Sequence, residues 1–216
     1  MSYGEVFKIL KDKNVNIWLD YTKHEFVQKL ANDSLHENCF LNYLKQDYLF
    51  LIQFSKAWSL AILKSDNLEE MKIAASTVNE LINFEMGLHI SLCEKYGISK
   101  LDLENTEEKN ENIAYTRYVL ELGYSGDFLD LLSALAPCVL GYGEIGLNLQ
   151  NSNPKISMYK KWIETYSSSE YQSVCLNVGK LIDKSFKLSL PSLFTQMFIL
   201  SNISFILLPK TLIHLS

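Results

Sequence analysis

The stretch that decides the fold reads DFLDLLSALAPCVLGYGEIG and occupies residues 127–146. Its apolar residues predict a buried helix, yet Pro137 lies in the middle of it. A proline inside a helix removes one backbone hydrogen bond and kinks the helix, so carbonyl groups one turn upstream lose their partner where Cys138 is displayed. Tyr142 follows the cysteine at i+4 and shares its face. Three glycines, at 141, 143 and 146, allow neighbouring backbone or a ligand to approach closely.

Helical spacing of apolar residues extends outward from this segment in both directions, and few β signals appear. The longest connection is polar and runs from Ser99 to Asn112. We find no internal repeat and no sustained heptad. About seven helices with short loops predict an all-α bundle around a single core. The spacing predicts helices over residues 14–29, 37–64, 67–96, 113–122, 154–167 and 168–184, with a last helix beginning near Pro191.

The composition indicates one globular domain spanning residues 1–216, with 48% hydrophobic and 21% charged residues. The net charge is -5, and the lysines are scattered along the chain. Arg117 is the only arginine, which argues against bidentate phosphate recognition. We therefore expect no nucleic-acid partner.

The cellular compartment of the protein can be predicted from its cysteine spacing and from the residues at its two ends. The four cysteines, at 39, 93, 138 and 175, form no CxxC pair, and the N-terminal MSYGEVFKILKDKN has no apolar signal core. We therefore expect a cytoplasmic protein. Residues 197–213 are strongly apolar, but Asn202, Pro209 and Lys210 interrupt them before they reach membrane-spanning length. We interpret this tail as a buried terminal helix and expect no membrane association.

Polar groups on three apolar helices are the candidates for chemistry. Bundle cores build ligand sites from such convergent groups. A thiol is a nucleophile only as thiolate, a carboxylate can accept a hydrogen bond from a substrate nitrogen, and a tyrosine can donate one or stack on a flat ring. The alternative is structural, since a buried cysteine is usually an inert small hydrophobe and a row of tyrosines is usually core. The candidates are Asp47, Cys138, Tyr115, Tyr142 and Tyr166.

Glu85 and His89 lie at i and i+4 of one predicted helix, which is the spacing of a metal-ligand pair. No further histidine lies nearby in the sequence. We therefore interpret the two as a buried hydrogen-bonded pair, with metal binding as the alternative.

Five blocks of the sequence, taken together, resemble those of a known protein family. They occur in the expected order over about residues 14–200, and the most specific features are Pro-Cys with tyrosine four residues after the cysteine. The chain resembles the TenA, or thiaminase II, family in these blocks: YLKQDYLFLIQF (43–54), FEMGLH (84–89), AYTRYVL (114–120), LAPCVLGYGEIG (135–146) and YKKWIETYSS (159–168).

This resemblance implies an all-helical heme-oxygenase-like fold, a homotetramer, and hydrolysis of aminopyrimidines or thiamin in thiamin salvage without a metal or organic cofactor. The family nucleophile falls on Cys138, and the substrate-binding aspartate falls on Asp47. Two substrate-contacting tyrosines fall on Tyr142 and Tyr166, and Tyr115 matches another aromatic of the pocket. The implied mechanism adds the thiol to the pyrimidine ring, releases the amine or thiazole, and replaces it by water.

Two departures from the family pattern bear on the rate. Where the family has a tyrosine that helps to activate the thiol, this chain has Phe50, with Tyr43 or Tyr48 as substitutes. Family members also carry a proton-donating glutamate in the last helix, whereas residues 203–216 depart from the pattern and no carboxylate side chain follows Asp183. Loss of a positioned acid lowers a rate by about 100- to 10,000-fold. His214 is the one side chain of the tail that titrates near neutrality.

Two alternative functions stay open at this point. One is a non-catalytic protein that still binds an aminopyrimidine or thiamin, which the missing glutamate favours. The other is a metal-dependent oxidase on the same fold, with Glu85, His89 and Glu144 as candidate ligands. Against the oxidase, residues 168–184 supply no histidine, and we expect neither a metal nor heme.

Overall fold

A computed structural model describes residues 2–187, and this part of the chain is helical without a β-strand. A π-helical segment, Leu81–Glu85, joins the helices Leu68–Glu80 and Met86–Glu94 without a break. The all-α prediction is therefore confirmed for these residues. The α-helices are α1 (Glu5–Lys13), α2 (Val15–Thr22), α3 (Glu25–Ala31), α4 (Glu37–Lys64), α5 (Leu68–Glu80), α6 (Met86–Glu94), α7 (Lys100–Glu104), α8 (Asn110–Ser125), α9 (Phe128–Leu149), α10 (Ser157–Ser167) and α11 (Ser169–Lys187).

Helix α9 is the centre of the bundle, and it packs against α2, α4, α8, α10 and α11. Asp127 begins it with a capping box, in which its Oδ1 accepts from the Asp130 amide at 2.9 Å and Asp130 Oδ2 accepts from the Asp127 amide at 3.0 Å. Pro137 lies inside the helix, as the sequence predicts. Among residues 2–187, α9 alone is long and apolar enough to cross a membrane, but 83% of its most apolar window is buried in the bundle. Its apolar character is therefore explained by the core.

The glycines of α9 do allow close approach, as expected. A Cβ added to Gly146 would lie 2.4 Å from the carbonyl carbon of Tyr166, so α10 meets α9 backbone to backbone there. A Cβ on Gly141 would lie 2.3 Å from the Tyr21 ring. These two contacts bring Tyr166 and Tyr21 against the helix that carries Cys138.

Several predicted boundaries are wrong. Residues 14–29 form two helices, α2 and α3, because the chain turns at Lys23 and the His24 side chain caps α3. The connection 99–112 contains α7, and α8 already begins at Asn110. The predicted helix near Pro191, the family departure at 203–216 and His214 lie outside the described residues.

Helix α1 was not predicted at all. Its first two amides, those of Glu5 and Val6, donate to the carboxylate of Asp183 in α11 at 3.0 and 2.8 Å. Val6, Phe7 and Leu10 are its buried residues. The helix is thus fixed by a capping group more than 170 positions away in the chain.

Candidate active site

A cavity of about 730 Å³ opens between α4, α5, the π-helical segment, α9, α10 and α11. Asp47 and Phe50 line it from α4, Glu85 from the π-helical segment, and Cys138 and Tyr142 from α9. Because α9 presents Cys138 and Tyr142 one turn apart, both side chains reach the same space. The cavity is lined by one thiol, that of Cys138, by the phenols of Tyr142 and Tyr171, and by five carboxyl groups together with apolar side chains.

Asp47 forms a buried ion pair with His89 of α6. The imidazole Nε2 lies 2.7 Å from Asp47 Oδ2, and Nδ1 lies 2.8 Å from the backbone carbonyl oxygen of Glu85. A carboxylate and a carbonyl both accept, so both ring nitrogens carry hydrogen and the ring is an imidazolium. Burial lowers the pKa of His89, but the Asp47 charge and hydrogen bond raise it more, so the pKa lies above its usual value.

The predicted hydrogen bond between Glu85 and His89 is present, but it is made by the Glu85 backbone carbonyl and not by its carboxyl group. The imidazole contacts Glu85 only through the backbone carbonyl one turn earlier, and its charged partner is Asp47 on another helix. The i, i+4 spacing places the imidazole next to the Glu85 backbone carbonyl one helical turn earlier. The Glu85 carboxyl group therefore remains available for a contact with a different residue.

The hydroxyl of Tyr43 holds Asp47 from a second side, because it donates to Asp47 Oδ2 at 2.7 Å. With that hydrogen used, the Tyr43 oxygen accepts from Tyr142 at 3.1 Å and from Trp162 Nε1 at 3.2 Å. Asp47 Oδ1 has no partner among residues 2–187. One carboxylate oxygen is thus fixed by protein and the other is available to a ligand.

Cys138 presents its thiol to the cavity and is only 6% exposed. Within residues 2–187, its Sγ makes no hydrogen bond. Burial raises the pKa of the thiol well above its usual value, and the charges of Glu85 and Asp47 raise it further. The thiol is therefore protonated near neutral pH, and a base must remove its proton before it can act as a nucleophile.

Glu85 is the last residue of the π-helical segment, a type of turn that often occurs at functional sites. Its Oε1 accepts from the Tyr166 hydroxyl at 2.5 Å, and its Oε2 has no partner in the described part of the chain. Burial raises the pKa of Glu85 to about 7, against the lowering effects of the His89 charge and the Tyr166 hydrogen bond. Near neutral pH this carboxyl group can therefore both accept and donate a proton.

Known proteins resemble this chain in sequence and in fold. A model of the TENA/THI-4/PQQC family matches residues 11–197. The chain belongs to this family. An aminopyrimidine aminohydrolase of Halalkalibacterium halodurans is 34% identical over 181 residues, which are 82% of this chain and 80% of that protein. A solved TenA family transcription regulator from Silicibacter is 44% identical and has a TM-score of 0.92, with 97% and 96% of the two chains covered.

The fold expected of a TenA protein is also confirmed. A solved domain of unknown function from Shewanella denitrificans is described as having a heme oxygenase-like fold. It is 13% identical and superposes with a TM-score of 0.73 over 97% of this chain and 91% of that chain. At this identity the likeness concerns the fold alone, and it agrees with the helical bundle described above.

The residues predicted from the TenA resemblance separate into two groups. Four of them line the cavity, and these are Asp47, Phe50, Cys138 and Tyr142. The other two lie behind its wall, because the Tyr115 hydroxyl donates to the Ala134 carbonyl at 2.9 Å and the Tyr166 hydroxyl is bonded to Glu85.

Phe50 fills its position by ring packing. It stacks on Tyr115 with the ring centroids 5.9 Å apart and on Phe54 with 4.9 Å. Tyr43, one proposed substitute for a thiol-activating tyrosine at this position, is bonded to Asp47 instead. Sequence reasoning missed Tyr21, whose buried hydroxyl has no hydrogen-bond partner among residues 2–187 and whose ring packs on α9 at Gly141.

The ligand set of a metal-dependent oxidase is not assembled. Glu144 lies outside the cavity lining, where its carboxylate accepts from Trp18 Nε1 at 3.0 Å and from Lys11 Nζ at 2.8 Å. Both nitrogens of His89 are occupied by other groups. Among residues 2–187, no three His, Cys, Asp or Glu side chains are grouped to hold a metal ion. The hypothesis that Glu85, His89 and Glu144 bind a metal together is therefore wrong.

The raised pKa of Glu85 predicts a pH-dependent stability. Because the folded pKa is about 7 against a usual 4.5, the folded protein binds this proton more tightly than the unfolded chain. The stabilisation is complete below pH 4.5 and is lost as the pH rises through about 7, for a total of up to about 3 kcal/mol. We expect Glu85→Gln, measured by urea unfolding, to gain stability relative to the wild type between pH 5 and pH 8. A difference between the two proteins that does not change with pH would contradict this expectation.

Proposed function

We propose that this TenA family protein hydrolyses aminopyrimidines in thiamin salvage, with Cys138 as the nucleophile. The observation that carries the proposal is that Cys138 and Asp47 line one cavity and that Asp47 Oδ1 has no partner within residues 2–187. Family membership and the aminopyrimidine aminohydrolase relative support it. The substrate we propose is 4-amino-5-aminomethyl-2-methylpyrimidine, which would yield ammonia and the 5-hydroxymethyl pyrimidine.

The chemistry of an aminopyrimidine matches the lining of the cavity. Its exocyclic amino group is a donor, and Asp47 Oδ1 is an acceptor that His89 and Tyr43 hold in place through Oδ2. A flat heteroaromatic ring can stack between the aromatic side chains of Phe50, Phe54 and Tyr142, which line the same space. A volume of about 730 Å³ also suits a small ligand with an aromatic ring.

The proposed reaction has two stages. The Cys138 thiol loses its proton and adds to the pyrimidine ring, which lets the amine leave from the exocyclic methylene with a proton. Water then adds to the methylene, and the thiol leaves with its proton restored. The net change consumes one water and releases one ammonia. The given sequence has no aspartate or glutamate after Asp183, and the carboxyl groups of the cavity are the candidates for the acid that serves the leaving amine.

Ammonia release by the purified protein tests this function. We expect one ammonia and one 5-hydroxymethyl pyrimidine per substrate consumed, measured by a coupled assay and by mass spectrometry. The pyrimidine that carries 5-methyl in place of 5-aminomethyl is the matched control, because it presents the same ring without a leaving group.

No release at saturating substrate would reject the hydrolase. Calorimetry then decides the alternative. Heat of binding with either pyrimidine would establish the non-catalytic binding protein, and no heat with either would reject that protein as well.

Two further features are proposed from the family resemblance and the cysteine content. We propose a homotetramer, which light scattering would test, and a cytoplasmic location. The four cysteines at 39, 93, 138 and 175 are all free thiols in the fold, and this favours a reducing compartment.

A further inference from the structure

The proton that the proposed reaction moves needs a carrier close to Cys138. In the described part of the chain no base is hydrogen-bonded to the thiol, and burial holds it in the protonated form. The resemblance to the family places its acid in the last helix, and the given sequence has no aspartate or glutamate after Asp183. The titratable groups that line the cavity are the candidates for taking the thiol proton and returning it to the leaving amine.

Five carboxyl groups line the cavity, those of Asp47, Glu80, Glu85, Glu164 and Glu170. Glu164 and Glu170 are exposed, and the Oδ2 of Asp47 is held by the His89 imidazolium and by the Tyr43 hydroxyl. Glu85 accepts one hydrogen bond, from Tyr166, and its Oε2 is unpartnered among the described residues. Glu85 lines the same cavity as Cys138, and with Asp47 it is one of the two carboxyl groups whose charges raise the pKa of that thiol.

We propose that Glu85 is the general base and general acid of this enzyme, carrying the proton between Cys138 Sγ and the leaving nitrogen. The inference rests on the proposed hydrolase function and adds a residue to it. Tyr166 is then a positioning residue, because its hydroxyl fixes Oε1 and leaves Oε2 without a partner among the described residues. His89 fixes the same stretch of backbone through the Glu85 carbonyl.

The proton balance closes with Glu85 alone. As carboxylate it accepts the thiol proton while the sulfur–carbon bond forms. As carboxylic acid it protonates the amine while the carbon–nitrogen bond breaks. The regenerated carboxylate takes a proton from the attacking water, and the carboxylic acid returns it to the departing sulfur. Each half of the reaction leaves Glu85 as it began.

The pH dependence follows from the groups that surround Glu85. Ionisation of Glu85 near pH 7 produces the base, so kcat/KM should rise through that pH. His89 stays cationic because of the ion pair with Asp47, and the nearby phenols and thiols keep their protons through pH 7 because their pKa values are raised. The titratable groups that act on Glu85 or share its cavity are Asp47 from α4, Glu80 from α5, His89 from α6, Cys138 and Tyr142 from α9, Lys161, Glu164 and Tyr166 from α10, and Glu170, Tyr171 and Cys175 from α11.

The first test compares Glu85→Gln with the wild type in ammonia release. We expect kcat to fall about 100- to 10,000-fold, KM to change little, and the rise of kcat/KM near pH 7 to disappear. Glu94→Gln is the matched control, because Glu94 is an exposed glutamate at the end of the next helix and should leave the profile unchanged. A Glu85→Gln enzyme within about threefold of the wild type, with the same profile, would overturn the assignment and leave the hydrolase function intact.

Two further variants separate proton transfer from folding. Tyr166→Phe removes the donor that lowers the pKa of Glu85, so the rise in kcat/KM should move to higher pH. Glu85→Ala should regain turnover with added formate, whereas formate should not stimulate the wild type. An unmoved profile in Tyr166→Phe together with no rescue by formate would overturn the proposal. No ammonia release from the wild type would overturn both the function and this inference.

Discussion

Replacing Cys138 by serine is expected to lower ammonia release by at least about 1,000-fold, because the residue that forms the covalent bond acts as a unit with the proton carrier. Serine fits the space of the thiol, but its hydroxyl is a far weaker acid in a site where burial already disfavours ionisation. The substrate should still bind, since Asp47 and Tyr142 are unchanged. The measurement is kcat together with the calorimetric Kd of the substrate.

Cys39→Ser is the matched control for this variant. Cys39 is a free thiol at the beginning of α4, is partly buried, and does not line the cavity. Its replacement should leave kcat within about twofold of the wild type. A Cys138→Ser enzyme that retained more than about a tenth of the wild-type kcat would show that the thiol is not the nucleophile.

Replacing His89 by alanine is expected to destabilise the protein by about 3 to 5 kcal/mol, because it leaves the Asp47 carboxylate buried without its cationic partner. The imidazole is fully buried and Asp47 is 6% exposed, so solvent cannot replace the lost contact cheaply. The variant also removes the hydrogen bond that holds the Glu85 carbonyl. Urea unfolding at pH 7 gives the loss as a change in the free energy of unfolding.

His36→Ala serves as the comparison for this prediction. The His36 ring caps α4 at its exposed end by accepting from the Asn38 amide, and the loss of such a cap costs about 1 kcal/mol. A second check is the double-mutant cycle with Asp47→Asn, which should give a coupling free energy of about 1 to 3 kcal/mol between the two positions. A His89→Ala protein that loses no more than His36→Ala would refute the buried ion pair.

The sequence predicts the central helix well because the features of α9 are local. Its beginning at Asp127, its apolar faces and the i+4 relation of Cys138 to Tyr142 all follow from backbone geometry. Asp47 was also identifiable, since a carboxylate on an apolar face needs a partner. The identity of that partner was not, because His89 reaches it from another helix.

The contacts that sequence reasoning missed are long-range or depend on irregular backbone. Asp183 caps α1 from the far end of the described chain, and Tyr21 of α2 reaches α9 only because Gly141 has no side chain. Glu85, the last residue of the π-helical segment, contacts His89 through its backbone carbonyl and Tyr166 through its carboxyl group. No local pattern in the sequence reports the change of hydrogen-bond register in this segment.

The π-helical segment also bears on how this site can change in evolution. A turn closed by i→i+5 hydrogen bonds contains one residue more than an α-helical turn, so it is equivalent to a one-residue insertion. Deleting one residue between positions 81 and 85 would rotate the upstream side chains by about 100° relative to α6. A single insertion or deletion could thus bring a carboxyl group to the cavity, or remove it, while His89 stays in place. Alignments of relatives in this region should therefore allow a one-residue gap within an uninterrupted helix.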